Sequence, residues 1–242
     1  MLNPILPHAS LQLKGKDILD LLHRISTVNV KSLPLNKPCP TLILNPRGKL
    51  ECAFSLLKKS EEEAIISFDE LTPPIHEQKI LNLLDHYTFG EKYTIVKCDA
   101  PPEESTWTEL QRIQSLEPQI GHEWIPNGET NPLEINLQSA IHDQKGCYPG
   151  QEIIEKIVAI GSPAKRLCLL KQSAPSTPQK LTLPFSLTDE SGITEVGSLT
   201  SLASDASQNH YALGIIKRTH AKPNLTVKAG SLGAFTIEKV SS

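Results

Sequence analysis

The densest chemistry in the sequence is the run Lys145-Gly146-Cys147-Tyr148-Pro149-Gly150-Gln151-Glu152, which places an amine, a thiol, a phenol, an amide and a carboxylate side by side. The residue before a proline avoids helical angles, and proline itself suits the first helical position, so a helix is predicted to begin near Pro149. Cys147 then sits just ahead of a helix N-terminus, where unpaired N–H groups and the macrodipole favour a thiolate, with Lys145 close by. Gly146 and Gly150 remove side-chain bulk on either side, which permits unusual backbone angles or the close approach of a ligand. Gln151 and Glu152 can cap local N–H groups or face the same pocket. Against this stands the ordinary fate of a free cysteine, which is burial in a core; on the residues alone the reactive and the structural reading stand level. His142, five positions before Cys147, has the chemistry of a general base, but a histidine without such a task is commoner and that reading is preferred. For Lys156 and Lys165-Arg166 a solvated face is the first reading and an anchor for an anionic ligand the second.

The elements that must position these residues follow from periodicity. Ile18, Leu19, Leu21, Leu22 and Ile25 recur at helical spacing and predict a helix over 17–25. Thr41 to Leu44 reads as a strand, Asn45-Pro46-Arg47-Gly48 as a turn, and the alternation of Leu50, Cys52, Phe54 and Leu56 as the returning strand of a hairpin. Lys58 to Glu63 is a polar connection into a strand from Ala64 to Phe68, and a second amphipathic helix follows Pro73-Pro74 before a strand from Tyr93 to Val96. Pro101 to Thr108 has the composition of a surface linker, and Trp107 to Leu116 fits a helix or a strand equally. From Gly161 onward short β-prone pieces, Leu167 to Lys171, Leu183 to Leu187, Thr194 to Leu199 and Tyr211 to Lys217, are parted by turn residues. They predict a small β-barrel or sandwich. Helices set among hairpin-connected strands without regular βαβ alternation predict an α+β fold.

Bulk composition excludes several classes of function. A chain of 242 residues with net charge -3 has no basic footprint for nucleic acid. The cysteines Cys39, Cys52, Cys98, Cys147 and Cys168 form an odd set with no CxxC pair and no Cys/His cluster at ligand spacing, which speaks against a disulfide framework and any resident metal. No apolar run reaches the roughly 20 residues that span a bilayer, and no basic stretch leads into an apolar signal core. A soluble, cytoplasmic protein of a reducing compartment, with no membrane partner, is expected.

The octapeptide resembles the KGC(Y/F)xGQE signature of the YgfZ-like folate-binding family, which is similar in fold to the aminomethyltransferase T protein of the glycine cleavage system. The resemblance extends to Leu13-Lys14-Gly15-Lys16-Asp17, to Asn45-Pro46-Arg47-Gly48-Lys49, to Arg112-Ile113, to Asn131-Pro132-Leu133-Glu134-Ile135-Asn136-Leu137, to Gly161 with Lys165-Arg166, and to Val196-Gly197-Ser198-Leu199 with Ala212-Leu213-Gly214. It implies antiparallel sheets with helices in a multi-lobed N-terminal region, residues 1–165, around a central channel, followed by a C-terminal β-barrel, residues 166–242. It also implies a tetrahydrofolate-type ligand, held by Arg112, Gln114, Glu134, Gly146, Tyr148, Gly150, Gln151, Glu152 and Lys156. The implied role is assembly or repair of iron-sulfur enzymes, with those enzymes or cluster carriers as partners and Cys147 and Lys145 as the reactive pair. Two departures stand out. Where relatives often read R-(I/L)-E-x-G, this chain has Arg112-Ile113-Gln114-Ser115-Leu116, and an amide matches the N–H edge of a pterin less well than a carboxylate. Where relatives read V-A-R after the signature, Ile153-Ile154-Glu155-Lys156 keeps a cation without a guanidinium fork. Alternative functions are a folate-dependent aminomethyl or one-carbon transferase, and a non-catalytic interaction module whose folate pocket has decayed.

Overall fold

A computed structural model describes residues 9–68, 74–99, 108–143, 145–172 and 182–241. The chain forms two compact units: one from Met1–Ser105, Pro126–Glu129 and Gln138–Ile154, the other from Thr106–Ile125, Thr130–Leu137 and Glu155–Ser242. The fold is mixed α and β with few helices, as the hairpin pattern predicts. The linker read at Pro101 to Thr108 lies outside the described residues except for Thr108.

In the first unit, β1 (Ala9–Lys14), β2 (Pro38–Leu44), β3 (Leu50–Ser60), β4 (Glu63–Ser67) and β5 (Thr94–Asp99) form an antiparallel sheet in the order β2-β3-β4-β1-β5. Pro38 and Pro40 sit on the edge strand β2, the place in a sheet where a missing N–H is tolerated. Helix α1 (Ile18–Ile25) buries the five apolar residues that predict it, and they share one core with Leu11, Leu13, Cys52, Leu56 and Ile66 of the sheet. A second helix, α2 (Pro74–Tyr87), adds Ile80 and Leu84 to that core.

The charged run after β3 is a correction. β3 continues through Ser60, and Lys58 occupies the inward-facing parity that a connection would not have. Its aliphatic stem covers apolar surface while the ammonium reaches the Lys31 carbonyl at 3.3 Å and Glu61 at 2.7 Å, so the strand tolerates it.

In the second unit, Glu109–Gln114 forms α3, which settles the open choice between helix and strand. A capping box decides it: the Thr108 hydroxyl accepts from the Gln111 N–H, and the Gln111 side chain accepts from the Thr108 N–H. The strands β6 (Lys165–Gln172), β7 (Phe185–Thr188), β8 (Glu195–Ser204), β9 (His210–Lys217), β10 (Thr226–Lys228) and β11 (Ala234–Val240) close into a barrel in the order β10-β11-β6-β9-β8-β7. Its interior holds Cys168, Leu170, Leu187, Leu199, Phe235 and Ile237. No helix of the described residues is long and apolar enough to cross a membrane.

Candidate functional site

The octapeptide lies in the first unit and feeds α4 (Gln151–Ile160). The helix begins two residues later than the proline predicts. Gly150 adopts φ +82, which no proline-initiated helix accommodates, so Tyr148 to Gln151 closes a turn through the Gln151 N–H and the Tyr148 carbonyl, and the Gly150 carbonyl accepts the first bonds of the helix at 3.2 Å. Gly150 has a second task. A Cβ there would meet the Asn45 carbonyl and lie 2.7 Å from the Gly48 Cα and 2.8 Å from its nitrogen. The Asn45–Gly48 turn of the β2–β3 hairpin and the octapeptide turn are thus packed backbone to backbone. Asn45 fixes its own turn by accepting from Arg47 and Lys49 at 3.0 and 3.1 Å, while its amide donates to Glu51 and to the Gly128 carbonyl.

On this base Cys147 is exposed, whereas Cys52 and Cys168 are buried and Cys39 and Cys98 are half-buried. Burial pushes the Cys168 thiol up to about 12 and raises Cys52 and Cys39 as well, so these thiols are held in their inert form. Gly146 has φ +97 with nothing within 4 Å of where a Cβ would be, so its role is the backbone turn and not crowding. Lys145 points inward and is only 5% exposed. Its ammonium donates to the His23 carbonyl and lies 5.4 Å from the centre of the Tyr148 ring. Burial lowers its pKa to about 8, opposed by the negative charge that Cys147 can carry. Tyr148 and Gln151 are half-buried, and Glu152 is exposed in the first turn of α4, where a carboxylate suits the helix dipole.

His142 is placed otherwise than a base for Cys147 requires. Its Nδ1 accepts the Asn29 N–H at 3.1 Å, so the neutral ring carries its proton on Nε2, which lies 3.8 Å from Cys39 Sγ. With one nitrogen accepting and the other protonated, the ring has no free lone pair. Its segment is stitched to the chain after α1: the His142 N–H donates to the Thr27 carbonyl, and the Thr27 hydroxyl to the Ala140 carbonyl at 2.6 Å.

Arg112, Gln114, Glu134 and Lys156 belong to the second unit. All five N–H donors of Arg112 are engaged inside that unit: Nε and Nη2 with Glu109 at 2.8 and 2.7 Å, Nη1 with Glu123 at 2.9 Å and the Glu117 carbonyl at 2.6 Å, and Nη2 also with the Ser201 hydroxyl at 2.6 Å. Glu123, whose side chain is 0% exposed, also accepts from the Gln119 N–H and from the hydroxyls of Thr200 and Ser201. The sequence reading missed Glu123; its signal was a lone carboxylate between the apolar Ile120 and Trp124, both buried. Gln114 is exposed at the end of α3. Two residues on, Leu116 takes φ +58, an angle that favours glycine. The strained angle is held by an Asn136 side-chain bond to its carbonyl and by packing against Ile113, Leu167, Leu169 and Leu213. Glu134 is half-buried in a 3-10 turn, and Lys156 is exposed on α4; neither side chain has a hydrogen-bond or ion-pair partner among the described residues. The same residues hold no group of three or more His, Cys, Asp or Glu that could bind a metal ion.

No protein-family model matches the chain. It is 37% identical over 103 residues, 42% of its length, to an Arabidopsis thaliana protein that bears the name of a chloroplastic transferase, and it spans 22% of that protein's length. The fold is similar to the crystal structure of the glycine cleavage system aminomethyltransferase T from Bartonella henselae, with a TM-score of 0.79 at 14% identity over 96% of this chain and 83% of the other. The chain therefore has an aminomethyltransferase-like fold.

Proposed function

We propose that this chain is a tetrahydrofolate-binding accessory factor for the assembly or repair of iron-sulfur enzymes, acting through the Cys147 thiol. The observation that carries the reading is the exposed Cys147 in a rigidly backed turn, while the other cysteines are buried or half-buried. The signature around that thiol and the aminomethyltransferase-like fold support it. In this reading Gly146, Tyr148, Gly150, Gln151 and Glu152 shape the loop, and Arg112 holds α3 in place of contacting ligand directly. A pterin edge needs an acceptor for two N–H donors. Exposed Gln114 offers one acceptor and one donor group, and Glu134, a carboxylate without a partner among the described residues, supplies the missing acceptor. Lys156 is the cation available to an anionic tail.

Tetrahydrofolate titrated into the purified protein is expected to raise its thermal midpoint, because a ligand at a hundred times its Kd stabilises by about 2.7 kcal/mol. Glu134→Gln is expected to weaken binding by roughly tenfold or more, the worth of a charge-assisted hydrogen bond. A midpoint that does not move at millimolar tetrahydrofolate would sink the ligand assignment. A folate-dependent one-carbon transferase is the second reading, favoured by the name of the Arabidopsis relative. Turnover of an aminomethyl or methyl donor separates it from the first.

A further inference from the structure

The chain has two buried lysines among its described residues, and they are treated differently. Lys58, 3% exposed, has the Glu61 carboxylate at 2.7 Å. Lys145, 5% exposed, has no carboxylate partner among the described residues; it has a backbone carbonyl and an aromatic face. The acidic groups on and beside the helix that supplies that carbonyl are engaged elsewhere: Asp20 of the helix pairs with Lys31 at 2.8 Å, and Glu91, from the segment after α2, pairs with Arg24 at 2.6 Å. His23 itself has a buried, unpartnered Nδ1 and a pKa lowered by burial and then by Lys145 and Lys31, so it adds no negative charge. Asp143 is exposed and makes no ion pair with Lys145, and the groups of its own loop that bear on the ammonium are Tyr148 and Cys147.

A buried ammonium costs free energy unless something negative compensates it. Among the described residues, the ionisable group that acts against this cost is Cys147, two residues away and open to solvent. Resting on the reading of Cys147 as the working thiol, we propose that this loop selects an anionic reactant: a small electrophile bearing a carboxylate or sulfur-oxyanion group beside the atom the sulfur attacks, with the uncompensated Lys145 charge as the selecting element. The ammonium itself is buried, so its charge is screened less than one on an open surface and the preference survives ordinary salt.

The test compares iodoacetate with iodoacetamide. In both the Cys147 sulfur forms a bond to the methylene carbon, iodide leaves with the C–I electron pair, and the thiol proton passes to buffer; the two reagents differ in charge. Rates at Cys147 are read by peptide mass in the full-length protein, and their ratio cancels the ionisation of the thiol itself. At pH 7 the iodoacetate-to-iodoacetamide ratio is expected to be about threefold or more above that of the same chain in denaturant, the scale of one unit charge acting a few ångströms away through a mostly aqueous medium. As pH rises from 7 to 10 the amine, held near 8, loses its proton and the ratio is expected to fall to the denatured value. This profile needs no substitution. Lys145→Met should bring the iodoacetate-to-iodoacetamide ratio at pH 7 down to the denatured value, whatever it does to the iodoacetamide rate itself, and Lys145→Arg should keep the ratio raised up to pH 10. A ratio that does not change with pH, or one that stays raised in Lys145→Met, overturns the proposal and leaves the reactive thiol standing. If Cys147 reacts with neither reagent, the reactive-thiol reading falls with it.

Discussion

Glu123→Ala is expected to cost the barrel-containing unit about 3–5 kcal/mol, the loss typical when one member of a buried ion pair is removed and the other left behind. The carboxylate is fully enclosed and takes four hydrogen bonds, from Arg112, the Gln119 N–H, Thr200 and Ser201. Removing it leaves a guanidinium that is nearly buried, and two hydroxyls lose the carboxylate they donate to at 2.7 Å. Glu109 offsets part of this, since it holds two of the guanidinium donors, but its side chain is 43% exposed and its pairing is correspondingly screened. Glu123→Gln keeps the shape and one acceptor oxygen and should cost less. Urea unfolding of the three proteins checks the order; a shift of less than about 1 kcal/mol for the alanine variant contradicts the clasp assigned to this cluster.

The second large effect falls on the loop that carries the thiol. Gly150→Ala is expected to cost at least about 3 kcal/mol, because two separate penalties add: an alanine at φ +82, worth roughly 1–2 kcal/mol, and a Cβ driven into the backbone of Asn45 and Gly48. The obstructing atoms belong to a turn fixed by Asn45 and cannot rotate away as a side-chain tip would. Gly146→Ala is the control. It has a comparable φ of +97 and open space around the Cβ position, so only the conformational cost of about 1–2 kcal/mol applies. Equal midpoints for the two variants contradict the backbone-to-backbone packing of hairpin and octapeptide.

The contrast between what the sequence revealed and what it concealed follows from the range of the interactions. Helix α1 and the β2–β3 hairpin were legible because their signals are local: five apolar residues at helical spacing, and Asn45-Pro46-Arg47-Gly48 between two β-prone runs. The barrel was legible as a class from its short alternating pieces, although the strands Thr226–Lys228 and Ala234–Val240 carry weaker patterns. Lys58 was read as a connection because its charge outweighs its parity in any composition rule, whereas its long stem allows both burial and ion pairing. The start of α4 was placed at Pro149 by local preference, and the tertiary contact of Gly150 with the hairpin turn moved it to Gln151. In the candidate site, the octapeptide could be found as a string, yet the inward aim of Lys145, the pairing of His142 with Asn29 and Cys39, and the saturation of Arg112 depend on partners up to 122 residues away. No local pattern encodes them.

The central claim is that the Cys147 thiol does the work, and one rescue assay addresses it most directly. In cells lacking their native counterpart of this protein, the wild-type chain is expected to restore the activity of iron-sulfur enzymes, and Cys147→Ala, a change at an exposed position that should move stability by less than about 0.5 kcal/mol, to leave that activity at the level of the empty vector. Full rescue by Cys147→Ala at equal protein abundance contradicts the account.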